Sequence, residues 1–367
     1  MLLCVSGYSG IIVTEQFWST SVDRRSRHRH SPAPLSSCRR PPAPRASWAQ
    51  LGHALELDAA TVARRWSRLV SAGTAWLSAY PGPGAGHRLN VSFIEVNCAT
   101  NKVLSVADAL AKDPRVVTIE HVTGSRDLVL TVATAGLEAL SEFLLHGISQ
   151  IAGVSSTQTQ PGTRIFVEGG DWQLRSLDVG EQARIERNRP RTNDGPALVS
   201  DSSYRELLGL LAEDARMGVS ELADRLGVSR PTARRRIEGV LARREIVVRC
   251  DVPHGLTRWP VSATLWADVP PEQHAEVART LSDLPETRLT VGLTGGAANL
   301  MISLWMRGLE DLQRLETILA ERVPGIRIVE RAVALRHIKR VGALLGPNGR
   351  AIGHVPVDPW FGVPDPR

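Results

Sequence analysis

Hydrophobic residues in the second half of the chain first recur at helical spacing and then at strand spacing. Over residues 204–213, Tyr204, Leu207, Leu208 and Leu211 share one helical face. Ser220 is read as the N-cap of a second, short helix, with Gly227-Val228 as the turn that follows. Ser229 caps a third helix that has Pro231 in its first turn, where a missing N–H costs nothing. In that helix Ala233, Ile237, Val240 and Leu241 form the stripe that has to be buried. Its outer face carries Thr232, Arg235 and Glu238, with Arg230 at its start and Arg234 and Arg236 flanking. Ile246-Val247-Val248 then reads as a wing strand. Helix, turn, capped basic helix and strand is the pattern of a winged helix-turn-helix, and arginines on an exposed helix face point to duplex DNA.

The pattern occurs once more, earlier in the chain. Ser47 caps WAQLGHAL, Asp58 caps a following helix, and Val62, Trp66, Leu69 and Val70 form its core stripe. Thr61, Arg64 and Arg68 point outward with Arg65 beside them, Gly73 suits a C′ position, and Trp76-Leu77 begins a wing. The counterpart of the helix at 204–213 should be residues 32–42, which read PAPLSSCRRPP. Four prolines exclude a regular helix there, each interior proline costing about 3 kcal/mol. Residues 11–21 are the one possible substitute. Residues 1–45, rich in Pro, Ser and Arg, are expected to be disordered or foreign to the protein through a mistaken start site or a frameshift.

Mixed segments follow each helical one. Strands are expected at 89–96, 116–122, 128–134 and within 151–160, helices at 103–111 and 137–146, and a turn at 123–127. The order βαββαβ suggests an α+β, ferredoxin-like (ACT-like) sandwich, and LMISLWM (300–306) repeats LVLTVAT (128–134). Thr61 and Thr232, Arg64 and Arg235, Pro114 and Pro285, and Thr123 and Thr294 all stand 171 residues apart. After one inserted residue the spacing is 172, from Asp127-Leu128 to Asn299-Leu300 and from Gly153 to Gly325. A register held over so long a stretch reads as a tandem duplication.

This combination resembles the Lrp/AsnC family of feast/famine regulators, in the double-length form of actinobacterial members. The carrying motif is Thr-Gly-x-x-Asp-Leu between the second and third strands, which stands here as TGSRDL (123–128) and recurs after the second helix-turn-helix as TGGAANL. The resemblance implies effector domains that pair through their sheets, within one chain and in a homo-oligomer. It also implies a small molecule such as an amino acid bound near the turn. By position, the effector residues would be Thr123, Gly124 and Asp127, and Thr294, Gly295 and Asn299. Asn299 lacks the charge of Asp127, so the second site is expected to be altered.

The organisation that follows is a first, incomplete winged helix-turn-helix at 46–85, an effector-sensing domain at 88–170 and a linker at 171–200. A second winged helix-turn-helix at 201–256, a second effector-sensing domain at 258–345 and a C-terminal tail at 346–367 complete it. The net charge of +6 favours polyanionic partners, consistent with double-stranded DNA, to be bound by Thr61, Arg64, Arg65 and Arg68 and by Arg230, Thr232, Arg234, Arg235 and Arg236. Cys4, Cys38, Cys98 and Cys250 are scattered, which indicates free thiols in the cytoplasm and neither a zinc site nor a disulfide framework. No apolar run is long enough to span a membrane. No catalytic residue, metal or cofactor is expected. Two other readings exist. A pairing partner that has lost DNA binding would fit the incomplete first unit. An enzyme of the siroheme decarboxylase type, a class that resembles this family in fold and uses histidines near bound tetrapyrrole, would need them in matching places. His121, His146, His274 and His337 have no histidine at the equivalent position of the other half.

Overall fold

A computed structural model describes residues 2–3, 12–13, 45–169 and 201–363. The region 32–42 and the linker 171–200 lie outside the described residues, as does most of the segment 1–45. In chain order the elements begin with β1 (Leu2–Leu3) and β2 (Ile12–Val13), which pair with each other. The first half continues with α1 (Trp48–Leu55), α2 (Ala59–Ser71), β3 (Trp76–Pro81), β4 (Asn90–Cys98), α3 (Val103–Ala111), β5 (Val116–Val122), β6 (Leu128–Thr134), α4 (Leu137–Glu142) and β7 (Val154–Val167). The second half holds α5 (Asp201–Glu213), α6 (Val219–Arg225), α7 (Arg230–Ala242), β8 (Ile246–Asp251), β9 (Val261–Asp268), α8 (His274–Ser282), β10 (Thr287–Leu293), β11 (Leu300–Met306), α9 (Glu310–Arg322) and β12 (Arg327–Arg340). The short strands β13 (Ala343–Leu345) and β14 (Ala351–His354) follow.

Each half forms a βαββαβ unit whose strands alternate between two buried environments. On β6, Leu128, Leu130 and Val132 lie under α3 and α4, while Val129 belongs to a separate apolar cluster on the opposite side. On β11, Leu300, Ile302, Leu304 and Met306 lie under α8 and α9, and Met301 joins that same inner cluster. Strands buried on both faces read as near-continuous apolar runs, as LVLTVAT and LMISLWM do. The two sheets join at both edges. β7 pairs with β4 through residues 154–161 and then with β10 through residues 162–167. β12 pairs with β9 through residues 327–333 and then with β5 through residues 334–340. The strands β12-β5-β6-β4-β7-β10-β11-β9 therefore close into an antiparallel ring, with β13 and β14 attached to β12.

The helix-turn-helix units sit above this ring on a ribbon. The strands read from sequence as wings are not wings: β3 pairs antiparallel with β8, from Trp76 opposite Asp251 to Pro81 opposite Ile246. Each strand satisfies its backbone on the other half, while Ile246 and Val248 of β8 still pack on Ile237 and Val240 of α7. Ser47, Asp58 and Ser229 cap α1, α2 and α7 as expected. The cap of α6 is Gly218, not Ser220, because the helix starts two residues earlier than expected, at Val219. The expected helix 137–146 is regular only to Glu142 and then widens into a π turn to Gly147. Cys98 is free, as expected.

α5 braces the second unit, with Tyr204, Leu207, Leu208 and Leu211 packed on Leu222, Ile237 and Val240. In the first unit, bracing comes from the other half: the Arg216 guanidinium lies 3.9 Å from the Trp48 ring centre and donates to the Ala46 carbonyl at 2.7 Å. The C-terminal segment is also ordered. Ala351 donates to the Gly73 carbonyl, and Trp360 packs edge-on against Tyr204 with centroids 5.8 Å apart. Gly73 has φ +63°, and a Cβ there would meet the Ala351 carbonyl oxygen at 2.2 Å, so conformation and contact both demand glycine.

Lys339 on β12 is fully buried, its Nζ donating to the Asp113 carbonyl oxygen at 2.9 Å. Burial pushes its pKa from 10.5 down to about 8, with the nearby Asp113 carboxylate opposing. Between those values the unfolded chain holds a proton that the folded chain has lost, so this group makes stability rise as pH rises from about 8 to about 10.5. Lys339→Met is expected to raise stability at neutral pH by an amount on the order of 2 kcal/mol and to flatten that rise. Melting curves of the two proteins across the alkaline range test this; identical pH profiles would contradict it.

Candidate functional site

Two capped helices, α2 and α7, each lead into a strand of the ribbon. On α7 the Ser229 side chain accepts from the Thr232 N–H, Ala233, Ile237 and Val240 face the core, and Arg230, Arg234 and Arg235 are exposed. Arg236 and Thr232 are half-buried. Among the described residues, the ion pairs of this unit use Arg225, Arg243, Arg244 and Arg249, and none uses an arginine of the outer face of α7. On α2 the Asp58 side chain accepts from the Thr61 N–H at 2.8 Å, Val62 and Trp66 are buried, and Arg64 and Arg68 are exposed, with Thr61 and Arg65 half-buried.

The paired turns lie where the halves join. Thr123 exchanges two bonds with Val333 of β12: its N–H donates to the carbonyl, and its Oγ1 accepts from the N–H, each at 2.9 Å. Thr294 donates its N–H to the Pro161 carbonyl of β7 at 3.1 Å. Gly124 and Gly295 both have positive φ, +105° and +88°, which their turns require. One oxygen of Asp127, Oδ2, accepts from the Cys98 N–H at 2.8 Å. Asn299 uses both ends of its amide on Val269, accepting from its N–H at 3.0 Å and donating to its carbonyl at 2.7 Å. Residues 123–125 and 294–297 are exposed. Inside the ring lies a cavity of about 440 Å³ lined by strands of both halves, with Tyr80 and Arg249 of the ribbon on its wall.

The profile of the Lrp/AsnC ligand binding domain matches residues 91–171, and that of the AsnC-type helix-turn-helix domain matches residues 205–239. An uncharacterized HTH-type transcriptional regulator of Pyrococcus horikoshii is 33% identical over 117 residues, which is 31% of this chain and 73% of that protein. The chain belongs to the Lrp/AsnC family. A second uncharacterized regulator, of Pyrococcus abyssi, is 32% identical over 117 residues, again 31% of this chain and 73% of that protein. Among solved structures, the siroheme decarboxylase NirDL covers 80% of this chain and 86% of its own at 14% identity with a TM-score of 0.50, a likeness of fold alone. Among the described residues, no helix is long and apolar enough to cross a membrane, and no group of His, Cys, Asp and Glu could hold a metal.

Within this Lrp/AsnC chain, sequence reasoning passed over the most connected residue of the first turn. Arg126 is 3% exposed, with its Nε 2.8 Å from Glu95 of β4 and its Nη2 paired to Glu330 of β12. Its guanidinium also lies over Trp266 of β9, 4.4 Å from the ring centre. Gln160 of β7 completes the set, accepting from the Trp266 indole at 3.0 Å and donating to Glu95 at 3.3 Å. Burial raises the Glu95 pKa, and Arg126 opposes that rise. Burial would raise Glu330 also, but the Ser125 hydroxyl and Arg126 outweigh it and hold the carboxyl below its ordinary value. The only signal in the sequence was a charged residue inside a turn, which by itself reads as solvated. Arg126→Met leaves Glu95 buried without its cation and is expected to cost about 3 kcal/mol of stability. Arg327→Ala, which removes an exposed pair with Asp268, should cost less than about 1 kcal/mol. Urea denaturation of both variants checks the contrast, and equal losses would contradict it.

Proposed function

We propose that the chain is a cytoplasmic transcriptional regulator that reads duplex DNA with α2 and α7. On this reading it arose by internal duplication, as in double-length members of the family, and its halves take the places of two subunits. The observation that carries this reading is the β3–β8 ribbon, whose six residue pairs tie two capped, arginine-faced helices into one unit. Thr61, Arg64, Arg65 and Arg68 on α2, and Arg230, Thr232, Arg234, Arg235 and Arg236 on α7, would meet phosphates and base edges. A guanidinium forks onto phosphate oxygens and guanine edges in a way a lysine cannot.

The reading includes response to a small molecule such as an amino acid at the first turn. Asp127 spends one carboxylate oxygen on Cys98 and sits beside the exposed residues 123–125, so its second oxygen is placed to accept from an ammonium group. Asn299 carries no charge and has both amide atoms committed to Val269, so the turn at 294–299 is the weaker site.

The test is duplex binding over a range of salt concentrations with the full chain. Sequence-preferring binding is expected. Arg234→Ala with Arg235→Ala should weaken it and lower the log–log salt slope by about 0.9 for each phosphate left without its arginine. Unchanged affinity and slope in that variant, and in Arg64→Ala with Arg68→Ala, would remove both helices as readers. No binding of any duplex by the full chain would instead leave a pairing partner that does not touch DNA.

A further inference from the structure

The cavity inside the ring is built of two unlike parts. Phe93, Val129, Val291 and Met301, from strands of both halves, give it an apolar wall. The rest of the wall carries buried charge, and the carboxylates on it or directly behind it are already engaged. Asp251 accepts two bonds from Arg249, at 2.7 and 2.5 Å. Glu168 accepts from the Tyr80 hydroxyl at 2.5 Å and from Arg244 at 3.2 Å. Glu120 faces His337 Nδ1 at 3.0 Å. His337 stacks on His254, with centroids 4.5 Å apart, and burial holds both rings below the ordinary histidine pKa, so neither supplies charge at neutral pH.

Of the buried guanidiniums on the wall, Arg249 is paired with Asp251 and Arg340 donates to the Val252 carbonyl at 3.3 Å, whereas Arg288 has no such bond among the described residues. It is 6% exposed and lines the cavity, with its guanidinium 4.9 Å from the Trp305 ring centre. Its Nη1 is buried with no hydrogen-bond partner, and it forms no ion pair among the described residues. Burial, and then Arg249, lower its pKa to about 9 against the opposing pull of Asp251, Tyr80 and Glu168, none of which pairs with it directly, and this leaves it charged at neutral pH. A guanidinium has five donors, and a buried cation without an anion is costly unless something arrives to pair with it. Pro83, Thr163 and Arg164 are exposed lining residues and mark where the cavity reaches solvent.

We infer that the cavity binds a small organic carboxylate, with the carboxylate forked on Arg288 and the apolar body lying against Phe93, Val129, Val291 and Met301. A volume of about 440 Å³ suits such a molecule. Planar bidentate pairing gives a guanidinium its strongest hold on a carboxylate. The site is distinct from the exposed turn at 123–127 and does not depend on DNA binding.

Calorimetric titration of the full chain, without DNA, tests this with straight-chain carboxylates from butanoate to decanoate and with their primary amides. Saturable binding at a single site is expected, strengthening with chain length until the cavity is full, with each amide at least about tenfold weaker than its acid. Arg288→Gln should weaken binding by about tenfold or more while the unliganded protein melts at the same temperature or higher, because a buried unpaired charge has been removed. A merely structural arginine would give the opposite sign in melting. Thr131→Phe, which fills the cavity and leaves Arg288 in place, should abolish binding, whereas Asp127→Asn should leave it unchanged. No binding by any acid, equal binding of acids and amides, or full affinity in Arg288→Gln would each overturn the assignment, whatever the outcome of the DNA experiment.

Discussion

β7 and β12 each spend half their length in their own sheet and half in the sheet of the other half-chain, and the rest of the molecule is arranged around that crossing. Each strand runs for 14 residues, more than twice the usual strand length. The change of partner in β7 falls at Pro161-Gly162: Pro161 closes the pairing with β4, and a Cβ at Gly162 would approach the Val91 carbonyl oxygen to 2.8 Å. Closure leaves the eight strands of the ring without the free edges that an isolated ferredoxin-like unit presents. It also encloses the cavity and brings the turns at Thr123 and Thr294 against the crossing strands. The ribbon β3–β8 carries the same pairing of halves up to the recognition helices.

Much of this was legible in the order of residues. Caps at Ser47, Asp58 and Ser229, core stripes at Val62/Trp66 and Ala233/Ile237/Val240, and two TG turns at matching positions located the helices and the βαββαβ units. Local chemistry suffices there, since a capping hydroxyl and a 3.6-residue stripe act within a few residues of each other. The wing reading failed because Ile246-Val247-Val248 has the composition of any strand, and nothing within it specifies that Trp76–Pro81 is its partner. The strap from Ala351 to Trp360 was missed for the same reason: its partners, Gly73 and Tyr204, lie far away in the chain.

The candidate sites divide along the same line. Exposed arginines on α2 and α7 could be read from helical phase alone. The buried polar set could not, because Glu95, Arg126, Gln160, Trp266 and Glu330 come from five separate segments. Arg126 bridges two carboxylates that belong to different halves, and Arg288 lies in the interior with no carboxylate of the described residues paired to it. These two guanidiniums represent opposite solutions to one problem, the cost of removing a cation from water. One is answered by side chains of the protein itself, and the other is left open toward a cavity.

The continuous chain through the ring bears on how the molecule behaves on dilution. When paired sheets come from separate chains, the folded assembly is a matter of mass action and weakens as protomers become scarce. Here the β7–β10 and β5–β12 pairings are made within a single chain. They persist at any copy number, and no subunit exchange with related regulators can open them. Pairing within one chain also means that neither half has to fit an identical copy of itself. Under that condition Asp127 and Asn299, or Arg126 and Ala298, can differ without breaking a symmetric interface.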